Sequence, residues 1–229
     1  MFPEIAQNYR VLGPVIVGFG YTERAAGIQY NLDTWVKHLL DFLDALKIDK
    51  THLVGNSFGG ALSVALAIRA PERFERIVLM GAAGTKFQLT DGLDFAWGYT
   101  PSIENMKKLL DLFAYDRSLV SDELAELRYQ ASIRPGIQEA YASMFPAPRQ
   151  NGVNDLASDE SEIARIEHET LIIHGREDKI LPMVSVRRVF ELVPNSQLHM
   201  FEKCGHWTQI EHNRRFIELI LSFFNEQQN

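Results

Sequence analysis

The chain has 229 residues, 46% hydrophobic and 23% charged, with a formal net charge of -7 and a pI near 5.5. That composition supports one sizeable globular core, and the acidic balance argues against a nucleic-acid partner, which needs a basic face. The lone Cys204 rules out an intrachain disulfide and fits a reducing, cytoplasmic setting; Met1-Phe2-Pro3-Glu4 lacks a signal-peptide pattern, and apolar runs too short to span a bilayer argue against a membrane partner.

In chain order, residues 10–17 read as a buried strand interrupted by Gly13-Pro14. Asn31 or Asp33 can cap a helix reaching about Lys47, with Trp35, Leu39, Phe42, Leu43 and Leu46 at helical spacing. A short β-prone run, Thr51-His52-Leu53-Val54, leads into Gly55-Asn56-Ser57-Phe58-Gly59, and residues 60–69 then read as a helix ending before Pro71. Residues 76–80 form the next strand. Alternating strands and helices predict an α/β fold, a mostly parallel sheet with helices on both faces. Between residues 85 and 166 the alternation stops. Helices are expected at 102–113, 121–133 and 136–145, punctuated by Pro146-Ala147-Pro148 and Asn151-Gly152. This division predicts a core of residues 1–84 and 167–229 with a helical lid at 85–166. Strands at 170–174 and 197–201 and helices at 183–192 and 207–224 complete the core.

The G-x-S-x-G run carries the chemistry because of its setting. Strand, sharp turn and helix form a nucleophile elbow, which lifts the Ser57 hydroxyl above the sheet edge. Such a turn is expected to need glycine on both sides. The Phe58 N–H, at the start of the helix, is positioned to meet developing negative charge on an oxyanion. A serine needs an adjacent base held by a third group, and in this architecture the order is serine, acid, histidine. Asp178 follows the strand at 170–174, with Glu177 as the rival acid. His206 follows the strand at 197–201. His38 and His212 are expected on helices at the surface, His52, His174 and His199 in or beside strands, and His168 in a polar stretch. No zinc-type spacing of His or Cys occurs.

These features together resemble the α/β-hydrolase superfamily, and within it the meta-cleavage product hydrolases. The matching stretches include Gly18-Phe19-Gly20-Tyr21-Thr22-Glu23-Arg24, Trp97-Gly98-Tyr99, Phe113-Ala114-Tyr115-Asp116-Arg117-Ser118-Leu119, Leu127-Arg128-Tyr129, Met144-Phe145-Pro146, His174-Gly175-Arg176-Glu177-Asp178 and the run from Cys204 to His212. The resemblance implies hydrolytic C–C cleavage of a 2-hydroxy-6-oxo-dienoate, a small anionic substrate, with no organic cofactor or metal. It implies Ser57, Asp178 and His206 as catalytic residues and Asn56, Phe113, Arg128, Cys204 and Trp207 as substrate-binding residues. Read without it, Arg128 pairs with Glu123, Glu126 or another acid of the insertion. An esterase or lactonase of the same fold, a ligand-binding member without catalysis, and homo-oligomer formation stay open. Two departures stand out: Val15 where the family usually has Asp, and Gly152-Val153 in place of a Trp-containing pair. The resemblance also implies strands ahead of residue 10, one of them between the strands at 10–17 and 51–54, together with a Gly-rich loop supplying an oxyanion N–H. Without that strand the sheet has a gap unless the two strands close up or another segment fills the slot, and the favoured expectation is a fragment of a longer polypeptide.

Overall fold

The computed structural model describes residues 2–24 and 27–226. After a short helix α1 (Phe2–Ile5), helix α2 (Leu32–Ala45) begins at Asn31, whose side chain accepts the Thr34 N–H. Strand β1 (Thr51–Asn56), helix α3 (Phe58–Arg69) and strand β2 (Phe74–Met80) follow. Helices α4 (Asp91–Trp97), α5 (Ile103–Phe113), α6 (Asp122–Ser132), α7 (Ile137–Met144), α8 (Gln150–Asp155) and α9 (Glu160–Ile163) fill the expected helical stretch. The chain closes with β3 (Glu169–Gly175), α10 (Met183–Leu192), β4 (Ser196–Phe201), α11 (Thr208–Glu211) and α12 (Asn213–Asn225). The strands pair in parallel in the order β1-β2-β3-β4. No helix among the described residues is long and apolar enough to cross a membrane.

The two faces follow from the period-2 alternation of strand side chains. Ile77 and Leu79 of β2 and Ile172 of β3 pack with Val64 and Ala67 of α3 and Val186 and Val189 of α10. Their neighbours Val78, Met80, Leu171 and Ile173 pack on the opposite face with Phe216, Ile220 and Phe223 of α12. Runs that looked uniformly apolar in sequence thus serve two cores at once, as strands buried on both sides must.

Three expectations are corrected. Residues 10–17 form no strand, and Val15 is exposed. An extended segment becomes a strand only when it finds a ladder partner, and this one spends its carbonyls on α2 instead: Trp35 Nε1 donates to Val17 O at 3.2 Å, and His38 Nε2 to Val15 O at 3.2 Å. A cavity of about 750 Å³ separates residues 10–14 from residues 50–54 along the unpaired edge of β1. β1 is thus an edge strand of the described sheet, with the cavity beside it. Second, Asn151-Gly152 is not a break but lies inside α8, where a bare Gly152 lets the helix approach the Trp97 ring; a Cβ there would sit 3.0 Å from it. Third, the closing helix is broken at His212, which therefore lies between α11 and α12. Its ring stacks on Phe201 at 4.7 Å and donates to Glu202 O at 3.0 Å, which pulls the residue out of helical geometry.

Candidate active site

Ser57 sits at φ 55° and ψ -114°, a conformation costing on the order of 1–3 kcal/mol for a non-glycine residue. The surrounding backbone holds it there. The Ser57 N–H donates to Met80 O at 2.9 Å, and the Ser57 carbonyl accepts from the Gly60, Ala61 and Ala83 N–H groups. The steric need for glycine falls differently from the motif. A Cβ on Gly55 would lie 2.3 Å from Gly59 O, and one on Gly60 would lie 2.4 Å from the Ala82 Cβ. Gly59 has nothing within 4 Å of that position, so the second glycine of the motif is not the one the turn requires; Gly60 is. Phe58 opens α3, and an N–H in a helix's first turn has no acceptor upstream in the helix. Its ring is fixed edge-on against Trp35, centroids 4.8 Å apart.

Asp178 and His206 come from loops that follow β3 and β4. A Cβ on Gly175 would lie 2.0 Å from Gly205 O, so the two loops touch where both residues lack side chains. Asp178 Oδ2 accepts from His206 Nδ1 at 2.8 Å, and its Oδ1 accepts the Ile180 and Leu181 N–H groups at 2.7 and 3.0 Å. Burial pushes the Asp178 carboxyl up, but His206, its hydrogen bond, His174 and the Ile180 N–H together hold it below the ordinary aspartate value. With Nδ1–H committed to the carboxylate, Nε2 is the basic nitrogen of the imidazole. The rival acid is assigned elsewhere: Glu177 Oε2 accepts the Cys204 N–H at 2.9 Å.

His206 is the first plane in a stack. Phe113 lies against its ring at 5.4 Å and against Trp207 at 5.4 Å, and the Arg128 guanidinium lies 4.9 Å over the Trp207 ring. Arg128 is exposed as a whole residue, yet packing around its head strips water from it and lowers its pKa. Among the described residues it forms no ion pair, whereas Arg117 and Arg149 of the same insertion pair with Asp111 and Asp94. The alternative reading, a pair with an acid of the insertion, is not what the structure shows: Arg128 lies on an aromatic face. Asn56 donates its amide to Met80 O at 3.0 Å and lines the cavity beside β1. Cys204 is fully buried beside Phe201, Phe216 and Ile220. Desolvation and the nearby carboxylates raise its thiol pKa.

Sequence reasoning missed Gly81 and the role of His174. Gly81 has φ +44°, and a Cβ there would lie 3.1 Å from both Asp178 Oδ2 and His206 Nδ1, so its bareness makes room for the pair. His174 is buried at 2% exposure with its Nδ1 3.7 Å from Asp178 Oδ2 and without a hydrogen bond. Nothing in a single sequence marks either position.

A family model described as the alpha/beta hydrolase fold matches residues 1–213. The chain is 60% identical to a 2-hydroxy-6-oxo-2,4-heptadienoate hydrolase of Pseudomonas putida (strain F1), over 97% of this chain and 81% of that protein. It is 58% identical to a 2-hydroxymuconate semialdehyde hydrolase of Pseudomonas putida, over 96% of this chain and 79% of that protein. A solved meta-cleavage product hydrolase from Pseudomonas fluorescens IP01, complexed with acetates, superposes with a TM-score of 0.96 at 56% identity, covering 98% of this chain and 82% of that one. Sheet order, elbow and paired loops agree with these likenesses: the chain belongs to the α/β-hydrolase family and, within it, to the meta-cleavage product hydrolases.

Proposed function

We propose that this chain is a serine-dependent hydrolase that cleaves a C–C bond of a 2-hydroxy-6-oxo-dienoate of the 2-hydroxymuconate semialdehyde type. Water adds across the bond, and the products are 2-hydroxypenta-2,4-dienoate and a small carboxylic acid. The bond breaks heterolytically only if the departing fragment leaves as a stabilised enolate, so the dienol must first be ketonised. His206 moves that proton through Nε2, Asp178 fixes the tautomer, and Ser57 with the Phe58 N–H acts at the 6-oxo carbonyl carbon, where an oxyanion develops. Arg128 binds the anionic end of the substrate, Phe113 and Trp207 form the apolar wall, and residues 85–166 act as the lid.

The observation that supports this reading most directly is the stack His206–Phe113–Trp207–Arg128. It sets an unpaired cation at the far end of an apolar wall from a carboxylate-paired imidazole, which suits a substrate with an anion at one end and a reactive carbonyl at the other. An esterase needs no such cation. Assaying the purified chain on the yellow ring-fission dienoate and on a neutral nitrophenyl ester decides: the dienoate is expected to turn over with the higher kcat/KM, and ester hydrolysis with no loss of the yellow chromophore refutes the reading.

A further inference from the structure

The loop that carries His206 has no regular structure of its own between β4 and α11. Side chains outside it must hold it: Asp178 meets the imidazole, Glu177 the Cys204 N–H, and a third, Glu211, reaches back from α11. Glu211, the last residue of α11, turns its carboxylate back over the loop. Oε1 accepts the Gly205 N–H at 2.8 Å and faces the Cys204 Sγ at 3.9 Å. Oε2 accepts the Tyr115 N–H at 2.8 Å and the Asp116 N–H at 2.9 Å. The other side of the loop is tied to the same segment, because the His206 N–H donates to Phe113 O at 2.8 Å. Gly205 lies so close to this segment that a Cβ would be 2.6 Å from Phe113 O. The helix break at His212 falls immediately after Glu211.

Both ends of the connection therefore meet at one carboxylate: the residues just before His206 on one oxygen, and the exit from α5 on the other. A carboxylate is the side chain this arrangement calls for. It only accepts, with two oxygens and about four lone-pair directions, whereas an amide of the same shape would turn an NH₂ toward N–H donors on one side. Bonds from N–H groups to an anion are also the stronger kind.

We propose that Glu211 is the positioning residue of the proton-moving histidine: it locks the His206 loop to the end of α5, so that the imidazole and the helical insertion are held as one unit. The inference rests on the reading of His206 as the base. Glu211 touches no reacting atom, and its effect passes through the geometry of His206 and Phe113.

The test compares wild type with Glu211→Gln, which keeps the volume, and Glu211→Asp, which keeps the charge and shortens the reach. In Glu211→Gln, kcat on the dienoate is expected to fall roughly 10- to 100-fold, the scale of a small misplacement of a reacting group, with KM within about threefold and cooperative melting retained. Glu211→Asp should fall between it and wild type. The second readout is the far-downfield proton NMR signal of the His206 Nδ1–H on Asp178, expected sharp in wild type and broadened or lost in Glu211→Gln. This signal needs no turnover, so it still decides the role of Glu211 if wild type proves inactive on the dienoate. Kinetics within twofold of wild type with the resonance unchanged would overturn the proposal. Loss of cooperative folding in both variants would overturn it in favour of a purely structural carboxylate.

Discussion

The two sides of the sheet are built differently, and the proposed catalytic residues are divided between them. β2 and β3 have neighbours on both edges and cores on both faces, and six of the seven β2 residues are buried. β1 has one neighbour, a cavity along its other edge, and buries only Gly55, with Val54 41% exposed. Ser57 rises from β1, while Asp178 follows β3 and His206 is tied to the insertion. The proposed nucleophile thus stands on the looser strand, held by the elbow's own hydrogen bonds, while the proposed acid is part of the packed interior. Catalysis and stability should therefore be separable at Ser57 and inseparable at Asp178.

The sharpest way to break this contrast is a pair of substitutions with equal kinetic cost and unequal structural cost. Ser57→Ala and Asp178→Asn should each reduce dienoate turnover by on the order of 10⁴-fold or more, since members of such a constellation act as a unit. Thermal unfolding should separate them. Ser57→Ala is expected within about 0.5 kcal/mol of wild type. Asp178→Asn turns an NH₂ toward a donor in a fully buried site and should lose about 1–3 kcal/mol. Near-normal turnover by Ser57→Ala would remove Ser57 from the mechanism; equal stability of the two variants would erase the distinction between the two sides.

A smaller effect is expected at the Arg128 end of the aromatic stack. Arg128→Leu should weaken transition-state binding of the dienoate by about 2 kcal/mol, the low end for a charged contact only partly shielded from water, and leave a neutral ester nearly untouched. Equal losses in kcat/KM on both substrates would make Arg128 a packing residue of Trp207.

What could be read in the sequence followed how local each signal is. Asn31, Ser102 and Ser121 cap α2, α5 and α6 through their own side chains, a signal contained within four residues, and those helices lie where the spacing placed them. The serine, acid and histidine loops were legible because each follows a strand, and the structure brings Asp178 and His206 together. Residues 10–17 misled because strand formation depends on a partner, and their apolar side chains pack over the β1 cavity without any ladder. Gly81, His174 and Glu211 were silent for a related reason: each acts on residues distant in sequence, and a lone glycine, histidine or glutamate has no pattern to betray that.

The elbow offers the next smaller test of the β1 side. Gly55→Ala and Gly60→Ala insert a Cβ into backbone at 2.3 Å and into Ala82 at 2.4 Å, so each should lose about 1–3 kcal/mol by overpacking. Gly59→Ala has open space and a helical position, and is expected to be neutral to slightly stabilising. Chemical denaturation of the three variants measures this order. If Gly59→Ala is as damaging as Gly60→Ala, the sterics of the turn are not what holds Ser57.

The smallest effect is a pH dependence that again contrasts the two sides. Desolvation lowers the pKa of His174 below the ordinary histidine value of 6.5; Asp178 opposes this and His206 adds to it. Between the folded and unfolded values the unfolded chain binds more protons, so stability is full above about pH 6.5 and declines as pH falls below it. The slope cannot exceed about 1.4 kcal/mol per pH unit for one group. His52 on β1 is also shifted down by desolvation, with Glu75 opposing, and has the same sign, but its side chain is 21% exposed against 2% for His174. Asp178, whose pKa is depressed, adds stability that is lost only as pH falls from about 3.8 downward, outside this window. Urea melts of wild type, His174→Gln and His52→Gln at pH 8, 6.5 and 5 should show the decline clearly reduced in His174→Gln and only slightly reduced in His52→Gln. A wild-type slope retained in His174→Gln would mean that the packed side of the sheet does not hold this histidine neutral, and the contrast with β1 would fail at that point.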